Sequence, residues 1–278
     1  ALTAQAAGET TFTADGQDNA LEMYTLQCRN HILKPLAEKY GIDTSDEAIR
    51  AAVDQHNEVC RLIRQIGDFR KEANPRVTGY EFHILTMASY VAPKHLILDK
   101  LRETLEEIKT DKPDAADKYR ARVVFVGSEV DDVDVIKLVE ESGAYVCADR
   151  FCYGSLPGRD EIILNDEEDV VKQICRQVQG RAQCPRYWDM AKMTGRRDYV
   201  ADLAKEYGAD GIIYEQMKFC DPWAYERMIG TIVLRDEHGY PVLAVDRPYS
   251  IGSSGQMRTR VQAFVESIEI KKIQGGKK

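Results

Sequence analysis

Cys220 is the residue of this sequence whose position is best suited to metal binding or nucleophilic attack. It lies between a short apolar run typical of a β-strand and an amphipathic segment typical of a helix. Asp221 is a good N-cap and Pro222 suits the first helical position, so Cys220 is predicted immediately before a helix start. The free N–H groups and the dipole of a helix start favour the thiolate, which binds metals or attacks carbon. A half-buried structural cysteine is the alternative for a single thiol.

Two more cysteines lie in segments that are predicted as loops. Cys152 is at the centre of the irregular stretch 149–158, which follows a predicted strand, and Cys184 precedes Pro185 between two predicted helices. Long loops in compact domains are often functional. A passive thiol in a solvated loop, or an inert sulfur in the core, explains these residues equally well, so both interpretations stay open.

The seven cysteines and five histidines show no spacing that is typical of a metal site. The sequence contains neither a C-x-x-C pair nor H-E-x-x-H, so the ligands of any metal would come from distant parts of the chain or from outside it. An odd number of scattered cysteines without a signal sequence indicates reduced thiols in the cytoplasm. Glycine motifs that bind dinucleotides or nucleoside triphosphates are also missing, which disfavours ATP binding by this chain.

The last candidate site is a Gly/Ser-rich loop that opens a predicted helix. Its residues are Gly255, Gln256, Arg258 and Arg260. Backbone N–H groups at a helix start and arginine side chains bind phosphate and carboxylate groups, so these residues are candidates for substrate binding. A plain helix start with solvated arginines is the alternative.

The charge of the chain excludes some classes of partner. The 278 residues include 38 Lys+Arg and 46 Asp+Glu, which gives a net charge of -8 at pH 7. An acidic chain has no general basic field to attract nucleic acid or an anionic membrane surface. Its apolar runs are short, whereas a membrane-spanning helix needs roughly 20 apolar residues. The sequence therefore predicts a cytoplasmic protein that binds neither nucleic acid nor membranes.

The elements that position these residues divide the chain into three predicted parts. Residues 1–20 are predicted as an irregular segment, 21–117 as a helical region and 118–278 as an α/β domain. The helical region has apolar residues at helical spacing and ends in a polar, proline-containing linker at 110–117. The predicted helices of this region are 44–71, 79–91 and 95–108.

The α/β domain is predicted from short apolar runs that alternate with amphipathic segments. Nearly all-apolar strands separated by helices indicate a parallel sheet that is covered on both faces. The predicted fold class is therefore α/β: a helical N-terminal region followed by a flavodoxin-like, doubly wound domain with a four-stranded parallel sheet. The predicted strands are 121–126, 145–148, 211–214 and 242–245, and the predicted helices are 133–141, 168–179, 199–207, 222–234 and 257–270.

Several motifs together resemble one known family. They are the run 218–223 around Cys220, the run 208–213 before it, the run 255–266 after it, and Asn-Pro with Thr-Gly in 74–79. With these motifs, the chain resembles the family that unites ATP-dependent benzoyl-CoA reductase subunits with 2-hydroxyacyl-CoA dehydratase subunits. The resemblance extends over nearly the whole chain.

The resemblance implies low-potential one-electron chemistry on a CoA thioester. In such enzymes a separate ATP-hydrolysing iron–sulfur activator supplies an electron that reaches the thioester carbonyl through an iron–sulfur cluster between two related subunits. The implied cofactor is a [4Fe–4S] cluster that is shared with residues outside this chain, and the implied partners are a homologous second subunit, the activator and an acyl-CoA. Cys220 matches a cluster cysteine of the family. Cys152 and Cys184 do not match one, although the loop of Cys152 resembles a family loop, and they are further candidates.

Family members are longer than this chain, so the resemblance also implies either the C-terminal part of a subunit, which we favour, or a chain that has lost the preceding domain and cannot hold a full cluster alone. The run 247–267 favours the benzoyl-CoA reductase branch, whose oxidoreductases dearomatise their substrate in anaerobic aromatic degradation. A 2-hydroxyacyl-CoA dehydratase subunit, which belongs to a lyase, is the alternative within the family. A non-catalytic interface subunit without a complete cluster is the alternative from another class.

Overall fold

A computed structural model describes residues 14–110, 118–155, 160–181, 183–187, 189–249 and 254–275. Contacts between residues divide the chain into two compact units. Unit 1 comprises Ala1–Glu58 and Glu161–Met193, and unit 2 comprises Val59–Asp160 and Thr194–Lys278. The division at residues 20 and 117 that the sequence predicts is one by secondary structure, and it stays a prediction. Residues 111–117 of the predicted linker lie outside the described residues.

Unit 2 contains a four-stranded sheet in which all strands are parallel. The spatial order is β2-β1-β3-β4, so the chain adds strands first on one side of β1 and then on the other. This topology, with helices on both faces, confirms the predicted α/β class and the flavodoxin-like sheet. The strands are β1, Ala121–Val126; β2, Ala144–Arg150; β3, Gly211–Met217; and β4, Val242–Arg247.

Helices cover both faces of this sheet. Successive residues of a strand point to opposite faces. In β1, Val123 and Phe125 are buried on one face, whereas Val124 and Val126 are buried on the other. Because both sets are apolar, the strand is stable only between two layers of helices. The helices on the first face are Val133–Glu141 and Ser254–Gly275, and those on the second face are Met190–Glu206 and Asp221–Asp236.

A further apolar cluster of unit 2 consists mainly of helical residues. Val59, Ile63, Phe82 and Leu101 are among its buried members, and their helical spacing is the pattern from which the helical region is predicted. Among the described residues, no helix combines the length and the apolar character that crossing a membrane requires. The helices are Asp46–Asp68, followed by the 3-10 turn Phe69–Lys71, then Gly79–Val91 and Lys94–Thr110.

Unit 1 is built from helices and irregular segments. The Asn57 side chain binds the backbone of Ile162 twice, since Nδ2 donates to the carbonyl oxygen and Oδ1 accepts from the N–H, both at 2.8 Å. This pair of hydrogen bonds fixes the irregular segment that precedes the next helix. The helical segments of unit 1 are Ala14–Cys28, the π-helical turn Arg29–Leu33, Lys34–Tyr40 and Val170–Gly180; Asp46–Asp68 and Met190–Glu206 contribute residues to both units.

Three strands, β2, β3 and β4, are longer than predicted because charged side chains are buried at their ends. β2 continues past residue 148 because Asp149 forms an ion pair with Arg70 at 3.0 Å in the protein interior. β3 continues past residue 214 because Glu215 forms an ion pair with Arg247 at 2.9 Å. Charged residues are usually exposed unless they are paired with an opposite charge. Because the sequence does not show these ion pairs, the predicted strands end before the first charged residue, which is too early.

One helix begins much earlier than predicted, and another lies partly in a segment that is predicted as irregular. The helix predicted at 199–207 begins at Met190, and Arg196 in its added part is buried in an ion pair with Glu226 at 3.2 Å. The sequence predicts an irregular segment at 1–20, but Ala14–Cys28 is a helix, and Ala20 is buried in it. Residues 14–20 thus differ from the prediction, because their small and polar residue types form no apolar pattern that would indicate a helix.

Candidate functional site

The candidate site lies at the carboxyl edge of the sheet. Because the four strands are parallel, their carboxyl ends meet at this edge, where open α/β sheets bind ligands. Cys152 follows β2 and Cys220 follows β3, so the structure places both thiols there. The helix Ser254–Gly275 follows β4 beyond residues 250–253, which lie outside the described residues.

Cys220 is the N-cap residue of the helix Asp221–Asp236. The prediction that Asp221 is the N-cap is wrong by a single position, since Asp221 is already helical. The Cys220 carbonyl oxygen accepts from the Ala224 N–H at 3.0 Å, and the Cys220 N–H donates to the Met217 carbonyl oxygen at 3.1 Å. The Cys220 side chain makes no capping hydrogen bond. Because Cys220 is the N-cap residue, its side chain is attached at the positive end of the helix dipole. This end of a helix stabilises an anionic ligand atom.

The residue before this thiol has an unusual backbone. Phe219 has a φ of 70° and its side chain is 96% exposed. A bulky residue in the left-handed region costs about 1–2 kcal/mol, and such strain is concentrated at functional sites. The Lys218 N–H donates to the Arg247 carbonyl oxygen at 2.8 Å, so the strained turn is attached to β4.

The structure brings Cys152 and Cys220 to the same face of the sheet. Both are partly buried against the apolar cluster that contains Tyr214 and Trp223. Cys184 belongs to unit 1, where its carbonyl oxygen accepts from the backbone of a following turn. In the part of the chain that the structure describes, no three Cys, His, Asp or Glu side chains form a metal-binding group. Thiolates are ligands that iron–sulfur clusters use, and the role of Cys152 and Cys220 as such ligands stays a prediction.

A buried arginine lies next to the Cys152 loop. The Arg150 guanidinium is 4.8 Å from the centre of the Trp223 ring. Burial lowers the pKa of Arg150, whereas Tyr214 and Cys152 favour its charged form and act in the opposite direction. A positive charge near a thiol stabilises the thiolate. Arg150 is thus a basic group beside the Cys152 loop.

A buried polar network, which the sequence pattern does not indicate, supports the turn that carries Cys220. Glu215 Oε1 forms an ion pair with Arg247 Nε at 2.9 Å. Glu215 Oε2 accepts from the Ser128 hydroxyl at 2.8 Å, and the same hydroxyl oxygen accepts from the Met217 N–H at 2.7 Å. These bonds connect β3 with the ends of β1 and β4. The only signal in the sequence is a glutamate within an apolar strand. This glutamate indicates a buried ion pair only when its partner, Arg247, is known.

Burial dominates the electrostatics of this network. It raises the pKa of Glu215 to about 7, against the opposing effects of Arg247 and Ser128. Gly127 makes the close packing possible, because a Cβ at this position would lie 2.4 Å from the Glu215 carbonyl oxygen. The network is therefore enclosed by the strands themselves. It can hold the Cys220 turn in place, but it is not open to a ligand.

A second polar group holds the Cys152 loop. Asp149 pairs with Arg70, and its Oδ2 accepts from the Ser155 N–H at 2.6 Å. His83 is buried with its ring edge-on to Phe151 at 5.1 Å between ring centres. Burial lowers the pKa of His83 to about 4, so the ring is neutral at pH 7. His83 is therefore a packed core residue.

The residues predicted to bind substrate lie on the first turns of the helix Ser254–Gly275. Arg258 pairs with Glu141 at 2.9 Å, and Arg260 donates to the Ala244 carbonyl oxygen at 2.6 Å. Gly255 and Gln256 are exposed. Both arginines therefore have partners within the domain, and an anionic ligand would compete with them. Their role in binding stays a prediction.

Comparison with known proteins identifies relatives over most of the chain. The family model described as "2-hydroxyglutaryl-CoA dehydratase, D-component" matches residues 9–268. The (R)-phenyllactyl-CoA dehydratase beta subunit of Clostridium sporogenes is 24% identical over 238 residues, which are 85% of this chain and 61% of that protein. The chain thus spans about six-tenths of the length of that relative.

Two further relatives have a similar extent of match. The (R)-2-hydroxyglutaryl-CoA dehydratase beta subunit of Acidaminococcus fermentans is 25% identical over 91% of this chain and 66% of its own length. A benzoyl-CoA reductase subunit of Thauera aromatica is 23% identical over 87% of this chain and 62% of its own length. The similarity therefore includes subunits of both a dehydratase type and a reductase type.

Proposed function

Since the chain belongs to the 2-hydroxyglutaryl-CoA dehydratase D-component family, we propose that it is a subunit of an enzyme complex that acts on CoA thioesters. The observation that carries this proposal is the family match over residues 9–268. The relatives support it because their names place them in acyl-CoA dehydratases and in benzoyl-CoA reductase. The proposed partners are a homologous second subunit, an ATP-hydrolysing activator and the acyl-CoA, and the proposed location is the cytoplasm.

Cys220 is the proposed ligand of a [4Fe–4S] cluster, with Cys152 as a second ligand. Two observations support this: both thiols lie at the ligand-binding edge of the sheet, and both contact the same apolar cluster. When bound, such a cluster supplies low-potential electrons for the reduction of a thioester. The remaining ligands are proposed to come from outside the described residues or from the second subunit. Cys184, in unit 1, stays a further candidate.

The other residues of the site position these two thiols. The helix start and Arg150 favour the thiolate form of Cys220 and Cys152, respectively. Trp223 is buried in the apolar cluster that both thiols contact, and it keeps water from this face of the sheet. Hydrogen bonds in the Glu215 network fix the backbone on which Cys220 is carried. The chain itself is proposed to hydrolyse no ATP, which is the task of the activator.

Serine substitutions test the ligand assignment. We expect Cys220→Ser in the anaerobically purified complex to lose most of its iron and acid-labile sulfide, and Cys152→Ser to lose part of them. Cys28→Ser, at a partly exposed thiol of unit 1, is the matched control and keeps the full content. An unchanged content in Cys220→Ser refutes the assignment. Unchanged content in all variants, Cys184→Ser included, supports instead a non-catalytic interface subunit.

The type of reaction is tested by its electron balance. The sequence run 247–267 favours a benzoyl-CoA reductase type, for which we expect stoichiometric consumption of reductant with an aromatic CoA thioester. The relatives from Clostridium sporogenes and Acidaminococcus fermentans are dehydratase beta subunits, which favours the alternative, radical dehydration of a 2-hydroxyacyl-CoA. That reaction needs only catalytic amounts of electrons. Assays of the activated complex with both substrates, with reductant measured directly, separate the two.

A further inference from the structure

Unit 1 contains a pair of thiols that the proposed function does not use. Cys28 is the last residue of the helix Ala14–Cys28, and Cys175 lies within the helix Val170–Gly180. Their Sγ atoms are 3.6 Å apart, although the two residues are separated by 147 positions in the sequence. Both cysteines are free thiols. Two sulfurs from distant parts of the chain are thus in van der Waals contact.

The packing of the two helices holds these thiols together. Leu21 of the first helix is buried with Val171 and Cys175 of the second. Two ion pairs join the same helices or the residues next to them: Glu22 with Lys172, and Arg29 with Asp169. Each pair is partly exposed and contributes little stability alone, but together they define the register of the helices. The sulfur contact is therefore a result of specific packing and not of two mobile side chains.

We propose that Cys28 and Cys175 form a redox-sensitive modification site, which a small-molecule disulfide of the glutathione type converts into an intramolecular disulfide. The bonding distance of two sulfurs is about 2.05 Å, so the sulfurs must approach by roughly 1.5 Å from their contact distance. Rotation about χ1 and a small shift of the helices supply such a displacement. This site is independent of the proposed function and lies in a different unit from Cys220.

The reaction proceeds in two exchange steps. The Cys28 thiolate attacks one sulfur of the oxidant, which forms a mixed disulfide and releases one small thiol. The Cys175 thiolate then attacks Cys28 Sγ, which forms the protein disulfide and releases the second small thiol. The two protein thiols lose two electrons and two protons in total. The oxidant accepts both and becomes two thiols, and a small dithiol reverses the reaction.

Exposure determines the order of these steps. Cys28 is partly exposed, whereas Cys175 is 3% exposed, so an oxidant in solution reaches Cys28 first. Burial, and then the neighbouring Cys28, raise the pKa of Cys175 to about 12. A buried thiol with a raised pKa is protonated and protected from reagents in solution, so only its small thiolate fraction reacts, with a disulfide that forms in contact with it. Cys175 is therefore suited to be the resolving thiol.

Peptide mapping tests the site directly. The full chain is purified under reducing, anaerobic conditions and then exposed to oxidised glutathione in the folded state. We expect a disulfide between the peptides of Cys28 and Cys175 that dithiothreitol removes, and a Tm higher by about 5–15 °C because the cross-link closes a long loop. In Cys175→Ser we expect glutathione to remain on Cys28. A wild-type product in which Cys28 stays in the mixed disulfide, or pairs with another cysteine, overturns the proposal.

A trivalent arsenical gives a second test that involves no oxidation. Phenylarsine oxide binds two neighbouring thiols through one arsenic atom, and chelation by a preformed pair exceeds binding to a single thiol. We expect retention of the arsenical by the folded wild type to fall at least about tenfold in Cys28→Ser, which changes a partly exposed position only. The matched control Cys184→Ser, also in unit 1, retains it. Equal retention by Cys28→Ser and the wild type contradicts the proposal.

Discussion

Glu140 and Glu215 are both buried carboxyl groups of unit 2, and burial raises the pKa of each to about 7. Most of their hydrogen-bond partners differ in kind. The Glu140 carboxylate accepts from three backbone N–H groups: Gly79 at 2.8 Å, Tyr80 at 3.1 Å and Val146 at 3.2 Å. The Glu215 carboxylate is held mainly by side chains, Arg247 and the Ser128 hydroxyl, and it accepts from one backbone group, the Ser128 N–H at 3.1 Å.

This difference distinguishes a structural junction of the domain, at Glu140, from the strand end at Glu215 that supports the candidate site. Glu140 joins the start of the helix Gly79–Val91 to β2, and backbone donors make that junction less dependent on other side chains. Glu215 supports the strand end that leads to Cys220, and its support depends on side chains that single substitutions can remove. The geometry of the candidate site is therefore more sensitive to mutation than the equally buried junction at Glu140.

Among the substitutions that test this difference, Arg247→Met is expected to change the free energy of unfolding most. The substitution leaves the Glu215 carboxyl buried without its counter-charge, so it should lower the free energy of unfolding by about 3–5 kcal/mol at pH 8. Denaturation with urea measures this value. Arg235→Met, at an exposed arginine paired with its neighbour Asp236, is the matched control and should change stability by less than about 1 kcal/mol.

A second substitution shows whether the lost charge is the cause. In the double variant Glu215→Gln/Arg247→Met both charges are absent, and we expect it to recover at least half of the stability that Arg247→Met loses. Arg247 also donates to the backbone carbonyl oxygens of Pro248, Tyr249 and Glu129. If the double variant is no more stable than Arg247→Met, the loss arises from these contacts and not from the pairing with Glu215.

The pH dependence of stability should be the same for both glutamates. Because the pKa of each rises on folding from 4.5 to about 7, each stabilises the fold fully below pH 4.5, and this contribution is lost as the pH rises through about 7. A shift of this size corresponds to roughly 3 kcal/mol per carboxyl. Glu140→Gln and Glu215→Gln should each show a flatter fall in unfolding free energy between about pH 5 and 8 than the wild type. Parallel curves for wild type and variants contradict this.

Substitution of two buried serines should also cost different amounts of unfolding free energy, and this difference is smaller than the effect of Arg247→Met. Ser128→Ala removes a donor to Glu215 and an acceptor of the Met217 N–H, and should cost about 2–3 kcal/mol in unfolding free energy. Ser142→Ala, close to Glu140, removes one hydroxyl that donates to the Leu138 carbonyl oxygen, and should cost about 1 kcal/mol. Thermal unfolding of both variants measures the difference. Equal losses would mean that the two regions do not differ in side-chain dependence.

The contrast also explains which parts of the structure could be predicted from the sequence. The strands and most helices could be predicted because apolar runs and helical spacing are local patterns with one stable arrangement. Cys220 could be placed at a strand–helix junction for the same reason, since proline and aspartate mark a helix start within a few residues. Its error of one position reflects the fact that N-cap geometry depends on a backbone angle, which residue types constrain only weakly.

The remainder depends on contacts between residues that are far apart in the sequence. The sequence pattern does not reveal the ends of β2 and β3, because Asp149 and Glu215 are buried only through Arg70 and Arg247. The supporting network of Cys220 and the sulfur contact of Cys175 escape prediction for the same reason. Whether a charged side chain or a thiol is buried depends on a partner that is distant in the sequence, so no local pattern could indicate these features.

The smallest expected effect concerns backbone conformation. On the Glu140 side, the turn before β2 uses a glycine at positive φ, Gly143 at 96°, whereas the turn before Cys220 uses Phe219 at 70°. Phe219→Gly removes the strain without loss of contacts, because the side chain is 96% exposed, and should raise the free energy of unfolding by about 0.5–1 kcal/mol. Gly143→Ala should lower it by about 1–2 kcal/mol, since its Cβ would also lie 3.0 Å from Arg120 Nε. A destabilised Phe219→Gly variant would instead show that the phenyl ring supports the turn.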